Sequence, residues 1–301
     1  MNISFSYKGA FYMLLAALGF SVMGGAAKAL KGSFNAGQLV FYRNVVGLMI
    51  IIISLLSRRA KFVGGKFGWL MFRGLMGTIA LYTLLYCILH IPLGTAMSYN
   101  LTSALFIVVF SMLLLQRTPN KLIIIAMLVG FTGMLLIYKP NMNLAWHYHV
   151  AGLLSGITSA LAYLTVGKLT RFYDERIIVL SFVFMGVFVP LLFSGLGVLF
   201  SLPTDDLIFI SLKWPKLEEW PFVLLLGIAA LAGQYFVTKA YGADRPDVIS
   251  VFGYANIIFS VFIGMLLGDA FPDMMSWAGI ICIIGSGILI AVFKEKEKNA
   301  L

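Results

Sequence analysis

Two arginines stand inside apolar stretches of this sequence, Arg43 in Phe41-Tyr42-Arg43-Asn44-Val45-Val46 and Arg73 in Phe72-Arg73-Gly74-Leu75-Met76. A guanidinium stays charged and presents a planar fork of donors that matches a carboxylate or a phosphate. At the centre of a membrane helix such a residue costs roughly 2.5–3.5 kcal/mol on insertion scales, so a chain that keeps one there is using it. Arg43 lies seven residues into its run, on the order of 10 Å deep at 1.5 Å per residue, too deep for easy snorkelling. No Asp or Glu falls in the interior of any apolar run; the twelve acids sit in loops or at run ends. Two roles fit Arg43: gripping a negatively charged solute in a cavity, or capping carbonyls of a neighbouring helix. Arg73 admits a cavity or gate role, or a plain anchoring role beside Lys66 at the membrane face. Arg43 is expected nearer one face and Arg73 nearer the other, so that a passing anion would meet one and then the other.

The other polar residues inside apolar runs are uncharged. One run carries Thr95, Ser98, Tyr99, Asn100, Thr102 and Ser103, part of which share a helical face. Others carry Thr78, Tyr82 and Tyr86; Thr158, Ser159 and Tyr163; Gln234, Tyr235 and Thr238; and Tyr254 with Asn256. A lone Ser or Thr in such a run ordinarily bonds its own helix backbone, and a Tyr near a run end belongs to the interfacial belt. The candidate binding set is Arg43, Arg73, Tyr82, Tyr86, Tyr99, Asn100, Ser103, Tyr163, Gln234, Tyr254 and Asn256. Cys87 and Cys282 read as packing residues, and His90, His147 and His149 fall at run ends or in a loop, without metal-ligand spacing. Neither a cofactor nor a metal is implied. There is no G-x-x-x-x-G-K-[ST] stretch for a nucleotide, and no acid or histidine lies deep enough to act as a buried catalytic base.

The elements that hold these residues follow from hydropathy. The chain has 301 residues, 61% hydrophobic and 11% charged, with a mean hydropathy of +0.97. A soluble domain carries about 25% charged residues, so this is an integral membrane protein. Its long, non-alternating apolar runs make it helical rather than a barrel. Ten runs are long enough for a helix of about 20 residues to cross a bilayer: 9–29, 36–56, 67–89, 92–115, 121–138, 151–170, 177–200, 220–240, 247–268 and 275–293. The first is too long for a signal-peptide core, despite Ala27-Lys28-Ala29 after it. The net charge of +10 comes from basic residues at run ends, which read as topology signals rather than a nucleic-acid footprint. With both termini cytoplasmic, fifteen basic residues fall in inner segments and five in outer ones, besides Arg43 and Arg73. The outer segment 201–220 also holds Asp205, Asp206, Glu218 and Glu219. The expected setting is a multi-pass protein of a bacterial-type inner membrane.

The halves repeat. Ala17-Leu18-Gly19-Phe20 in the first span matches Ala160-Leu161-Ala162-Tyr163 in the sixth, and Leu115-Gln116-Arg117-Thr118-Pro119 after the fourth matches Gly268-Asp269-Ala270-Phe271-Pro272 after the ninth. Gly130 and Gly133 follow in one half, Gly279, Gly285 and Gly287 in the other. Five spans per copy is an odd number, so the second copy enters the membrane inverted, with Gln116 inside and Asp269 outside. Inverted repeats are a common architecture of secondary transporters, with the solute held near the midplane. Gly264-x-x-x-Gly268 reads as intramolecular helix packing more than as a dimer seam.

The sequence resembles the drug/metabolite transporter superfamily, of the EamA type, through Phe41-x-Arg43, Arg73-Gly74, Ile91-Pro92-Leu93-Gly94-Thr95-Ala96 and the Gly-rich fifth span of each copy. Gln116-Arg117 stands where that family usually has an acid and an arginine, and Thr102-Ser103-Ala104 where it usually has a proline. The resemblance implies an all-α permease of ten helices in two five-helix inverted repeats, 8–140 and 150–293, with a tail over 294–301. The expected function is secondary transport of a small metabolite by alternating access, an organic anion or zwitterion read by Arg43. The alternative is a neutral or aromatic solute held by the tyrosines, with Arg43 structural. A membrane-embedded enzyme or a channel is a distant alternative, and an organic cation is disfavoured. The partners implied are the solute and the bilayer, the protein being a monomer or a weak homodimer without nucleic acid.

Overall fold

The apolar runs fold as twelve helices among the described residues of the computed structural model, which are 8–58, 60–91, 93–116, 120–139, 145–201, 211–266 and 271–299. They are α1 (Lys8–Ala29), α2 (Ala36–Ser57), α3 (Phe67–His90), α4 (Leu93–Leu101), α5 (Ser103–Leu115), α6 (Lys121–Tyr138), α7 (Trp146–Leu169), α8 (Glu175–Leu199), α9 (Trp220–Ala243), α10 (Pro246–Phe252), α11 (Ala255–Leu266) and α12 (Met274–Asn299). Eight spans are long and apolar enough to cross a membrane, Ala96–Leu114 and Pro246–Leu266 each counted as one. Lys121–Ile137 and Met274–Ile290 are shorter apolar helices. Arg59, Pro92, Arg117, Thr118, Pro119, Asp205, Asp206, Gly268, Asp269 and Ala270 lie outside the described residues.

The sequence expectation differs from the structure at two helix breaks and at two helix ends, α7 beginning at Trp146 rather than at 151. The runs at 92–115 and 247–268 are each broken near the middle. At Thr102 (φ −60, ψ −16) the helix tightens, its amide donating to Tyr99 O at 3.1 Å. At Gly253 (φ −61, ψ −25) the same happens, with Gly253 N to Ser250 O at 3.0 Å and Tyr254 N to Val251 O at 3.2 Å. These are i→i+3 turns, the tighter 3₁₀ geometry, which inside a helix often marks a functional hinge. At the other end of the chain, α12 runs through the lysine–glutamate stretch to Asn299 instead of stopping at 293.

Short-range chemistry sets the helix starts. Asn35 and Gln38 cap α2 reciprocally, each side chain accepting from the other's amide at 2.9 Å. Asn120 accepts from Leu122 N before α6, and Asp174 from Arg176 N before α8. Helix α1 packs along α9, α3 along α7, α2 along α8, and α6 along α12. The last pair meets backbone to backbone: a Cβ on Gly133 would stand 2.6 Å from Gly279 O, and one on Gly279 2.5 Å from Gly133 O. Only glycine allows that approach. Large side chains such as Ile53 and Leu56 on α2, or Phe184 and Phe188 on α8, remain exposed on outward faces, as lipid-facing side chains do.

Each end of the bundle is tied across its connections. At one end Val63 N donates to Phe172 O and Asp174 N to Lys61 O, and Arg176 reaches Ser54 O and Arg58 O at 2.8 and 3.1 Å. At the other, Gln38 Nε2 donates to Ser211 O at 2.7 Å, the Tyr42 hydroxyl donates to Lys213 O, and Lys139 pairs with Asp273.

Candidate functional site

The middle of the bundle holds a cavity of about 120 Å³. Its wall is drawn from α1, α2, α3, α7, α8 and α9 and from both sides of the two helix breaks. The breaks put Asn100, Leu101, Ser103 and Ala104 on one side and Ser250, Gly253 and Asn256 on the other. Most of the wall is apolar, with Met13, Phe20, Met23, Leu81, Leu84, Met97 and Phe182 among the larger contributors.

Arg43 and Arg73 are both in this wall and both buried, 2% and 1% exposed. They face the same aromatic ring. The Arg43 Cζ lies 5.2 Å from the Phe182 centroid and the Arg73 Cζ 4.9 Å, inside the range where a cation is held by the ring quadrupole. The expectation of two stations at different depths is therefore replaced by one site with two positive charges. Arg43 Nε donates to Met23 Sδ at 3.3 Å, and Nη1 to Asn44 Oδ1 at 3.1 Å, while Asn44 Nδ2 donates to Val40 O at 2.7 Å. Arg73 Nη2 donates to Gln234 Oε1 at 2.9 Å, and its Nε has no hydrogen-bond partner among the described residues. No Asp or Glu lines the cavity among the described residues. Gly77 makes the arrangement sterically possible, since a Cβ there would stand 2.7 Å from Phe182 Cδ2 and 3.0 Å from Arg73 Nη1.

Two asparagines hold the broken helices to their neighbours. Asn100 Nδ2 donates to Ser155 Oγ at 2.9 Å and to Ser159 Oγ at 3.3 Å, both on α7. Asn256 Nδ2 donates to Ala17 O and Ser21 Oγ on α1, each at 2.9 Å, and Ser21 Oγ donates back to Asn256 O at 2.9 Å. Tyr163 stacks on Tyr241, centroids 5.0 Å apart and planes at 22°.

Of the eleven residues chosen from sequence, Arg43, Arg73, Asn100, Ser103, Tyr163, Gln234 and Asn256 share this cavity, and Tyr82, Tyr86, Tyr99 and Tyr254 do not line it. Tyr82 is buried in the core with Leu81 and Leu85. Tyr86 packs on His90 and Tyr148, centroids 4.4 and 5.8 Å away, and the Tyr99 hydroxyl bonds His149 Nδ1. Tyr254 fills the space over Gly130, where a Cβ would stand 2.6 Å from its ring. Sequence reasoning passed over Phe182, which has no mark to separate it from other phenylalanines in an apolar run, and Tyr241, which lies just past a run end. Asn44 was detectable, as the neighbour of an intramembrane arginine.

A bundle of apolar helices with two mid-helix breaks around a buried, charged cavity is the form of a multi-pass membrane transporter. Relatives agree. The chain is 31% identical over 300 residues to an uncharacterized transporter of Helicobacter pylori, covering 95% of this chain and 96% of that one. It is 30% identical over 292 residues to the pseudopaline exporter CntI of Pseudomonas aeruginosa, covering 95% and 97%. A solved structure at 18% identity shares the fold, with a TM-score of 0.74 over 96% of both chains. The profile of the EamA-like transporter family matches residues 7–139, and the protein belongs to that family.

Proposed function

We propose that the protein exports a small organic anion, or a zwitterion with an exposed carboxylate, by alternating access through the central cavity. The observation that carries this reading is the pair of buried guanidinium groups on Phe182 with no acid in the wall around them among the described residues. Two uncompensated cations in a desolvated site repel each other and lack the hydration they had in water. An anion relieves both costs at once. The unpartnered Arg73 Nε is a donor that such a ligand would satisfy. The apolar remainder of the wall suits an organic body, and Asn100, Ser103, Tyr163 and Asn256 supply neutral polar contacts. Export is the activity named for the relative CntI. Both termini would be cytoplasmic, in an inner membrane.

Alternating access is read here from ten spans in two inverted repeats, 8–140 and 150–293. The packing supports it. Exchanging each span with the one five places along turns the α1–α9 pair into the α7–α3 pair. It turns the α2–α9 pair into α8–α3, and the packing of α4 and α5 on α7 into that of α10 and α11 on α1. The pairs α2–α8 and α6–α12 map onto themselves. The two broken helices also correspond, and paired interrupted helices at the repeat interface are where transporters of this kind bind solute.

The test is a thermal-shift titration of detergent-purified protein with three naphthalene derivatives that differ only in head group: carboxylate, hydroxymethyl and trimethylammonium. A ligand that binds only the folded state at 100 times its Kd stabilises by about 2.7 kcal/mol. The expected outcome is stabilisation by the carboxylate alone, lost in Arg43→Gln and in Arg73→Gln. Equal stabilisation of wild type and both variants by the alcohol would make the arginines structural cross-links between helices. The contacts of Arg43 with Met23 on α1 and of Arg73 with Gln234 on α9 give that second reading its footing.

A further inference from the structure

A second cavity opens where α7 and α9 end, at the end of the bundle that carries Arg176. Its wall includes the basic residues Lys168, Arg171 and Arg245 and a single acid, Asp244, among the described residues. Tyr241 is the one residue that lines both this cavity and the central one. It is 3% exposed and stacked on Tyr163, itself in the central wall. Arg245 and Ser250 frame the same partition from the other side: Arg245 lines the second cavity, Ser250 lines the first, and Asp247 lies between them in sequence. Asp247 is 2% exposed, and Arg245 holds it in a fork at 3.2 and 2.7 Å.

We propose that the second cavity is a loading station for the same anion, separated from the central site by the Tyr163–Tyr241 pair, which is the door between them. The proposal rests on the anion reading of the central site. The basic residues of the loading station are not explained by membrane orientation alone. Lys168 does set its Nζ over the Trp69 ring at 5.6 Å, as an interfacial anchor would. An anchor, however, has no need to line a cavity that shares Tyr241 with the central one. A cleft with an excess of one sign of charge raises the local concentration of an oppositely charged solute, and here Lys168 and Arg171 supply that excess, Arg245 being paired with Asp247. A solute gathered beside Lys168 and Arg171 is one tyrosine ring away from Arg43 and Arg73. Rotation of one aromatic ring out of the stack joins the two spaces. The helix ends beside the stack are closely packed: a Cβ on Gly242 would stand 2.8 Å from Thr170 Cγ2, and one on Gly167 3.2 Å from Tyr241 O.

The experiment uses full-length protein with Cys87 and Cys282 replaced by serine and one cysteine introduced at a time, in membrane vesicles of both orientations. Thr170→Cys reports the loading station and Ala104→Cys the central cavity. The probes are an anionic reagent, sulfonatoethyl methanethiosulfonate, and its cationic counterpart, trimethylammonioethyl methanethiosulfonate. The ratio of their rates, normalised to a free thiol in solution, reads the local potential. We expect the normalised ratio at Thr170→Cys to favour the anion by roughly tenfold, and to fall to the solution value in the Lys168→Gln/Arg171→Gln double variant. From the side that labels Thr170→Cys, Ala104→Cys should react slowly, speed up at least tenfold in Tyr241→Ala, and stay slow in Tyr241→Phe, which keeps the ring and the fold. A solution-like ratio at Thr170→Cys, or a rate at Ala104→Cys indifferent to Tyr241→Ala, would overturn the proposal. The two readings fail separately. An anion-favouring ratio at Ala104→Cys with a flat one at Thr170→Cys removes the loading station and leaves the central anion site standing. The reverse pattern removes the anion reading of the central site, and the loading station then has no anion to deliver.

Discussion

At the scale of single residues the cavity turns on what Phe182 does for two like charges. A phenyl face offers each guanidinium about 0.5–2 kcal/mol of cation–π attraction, enough to orient two arginines but too little to replace a counter-ion. That is why the pair reads as a site awaiting an anion. Gly77→Ala tests the fit directly. Its new methyl meets Phe182 and Arg73 at 2.7 and 3.0 Å, and overpacking of this kind costs about 1–3 kcal/mol. We expect a folded protein with a lower melting temperature whose affinity for the naphthalene carboxylate falls at least tenfold; unchanged affinity would mean the ligand does not touch this corner. Arg73→Lys keeps a charge and loses the fork, so it should restore only part of the binding lost in Arg73→Gln. The two arginines were legible in the sequence because a charge in an apolar run is conspicuous. Their meeting on one ring was not, because nothing in the spacing of α2 and α3 says which residue of α8 lies between them. The placement of the tyrosines was not legible for a related reason. Tyr82, Tyr86, Tyr99 and Tyr254 lie outside the lining of the central cavity, and residue type alone does not separate a tyrosine that packs or bonds inside the bundle from one that faces a solute.

At the scale of elements, α2 and α8 have to be held in register for Arg43 to lie over Phe182. The clamp is Arg176, at the start of α8. It donates to Ser54 O and Arg58 O at the end of α2, and forks onto Asp174 at 3.0 and 3.1 Å. Asp174 also caps α8. Partial burial raises the pKa of its carboxyl, but the hydrogen bonds and charge of Arg176 outweigh that, and the net shift is downward. A depressed folded pKa means that the stabilisation is present above the unfolded value of about 3.9 and is lost as the pH falls through the lower folded value. Asp174→Asn keeps a capping oxygen and removes the ion pair. Its deficit against wild type should therefore be visible near neutral pH and shrink on acidification below about pH 4, followed by thermal unfolding. Asp174→Ala removes the cap as well, at about 0.5–2 kcal/mol. Most helix positions were readable from hydropathy to within a few residues, the start of α7 and the end of α12 being five and six residues off. The breaks at Thr102 and Gly253 were not, since each hydrophobic run continues beyond the turn and neither carries a proline there. A Gly and a Thr in an apolar run are compatible with a continuous helix, and tertiary packing decides.

At the scale of the whole molecule the deciding question is whether α6 and α12 cross the bilayer. Helix α6 has 18 residues, about 27 Å at 1.5 Å per residue, against a hydrocarbon core of about 30 Å that can thin to accommodate it. Its C-terminal Lys139 pairs with Asp273 at the start of α12, at the end of the bundle opposite Arg176. Were α6 not to cross, its two flanks would lie on one side of the membrane, and the second half of the chain would run in the same sense as the first. The inverted relationship, and alternating access with it, would then fail. Ala145→Cys and Arg171→Cys bracket α7 and settle the matter in intact cells, in the background lacking Cys87 and Cys282. Both positions are exposed. With ten spans and an inward basic end, a membrane-impermeant maleimide labels Ala145→Cys from outside, and reaches Arg171→Cys only after permeabilisation. The opposite pattern would place 139–146 on the inner side. It would require either that α6 lies on the membrane rather than across it, or that the whole bundle is inserted the other way. A third cysteine at Lys61, before α3, separates these: labelled from outside in a flipped bundle, protected if only α6 fails to cross. We expect Lys61→Cys and Arg171→Cys to be protected together, since their backbones are tied at the same end by the bond from Asp174 N to Lys61 O.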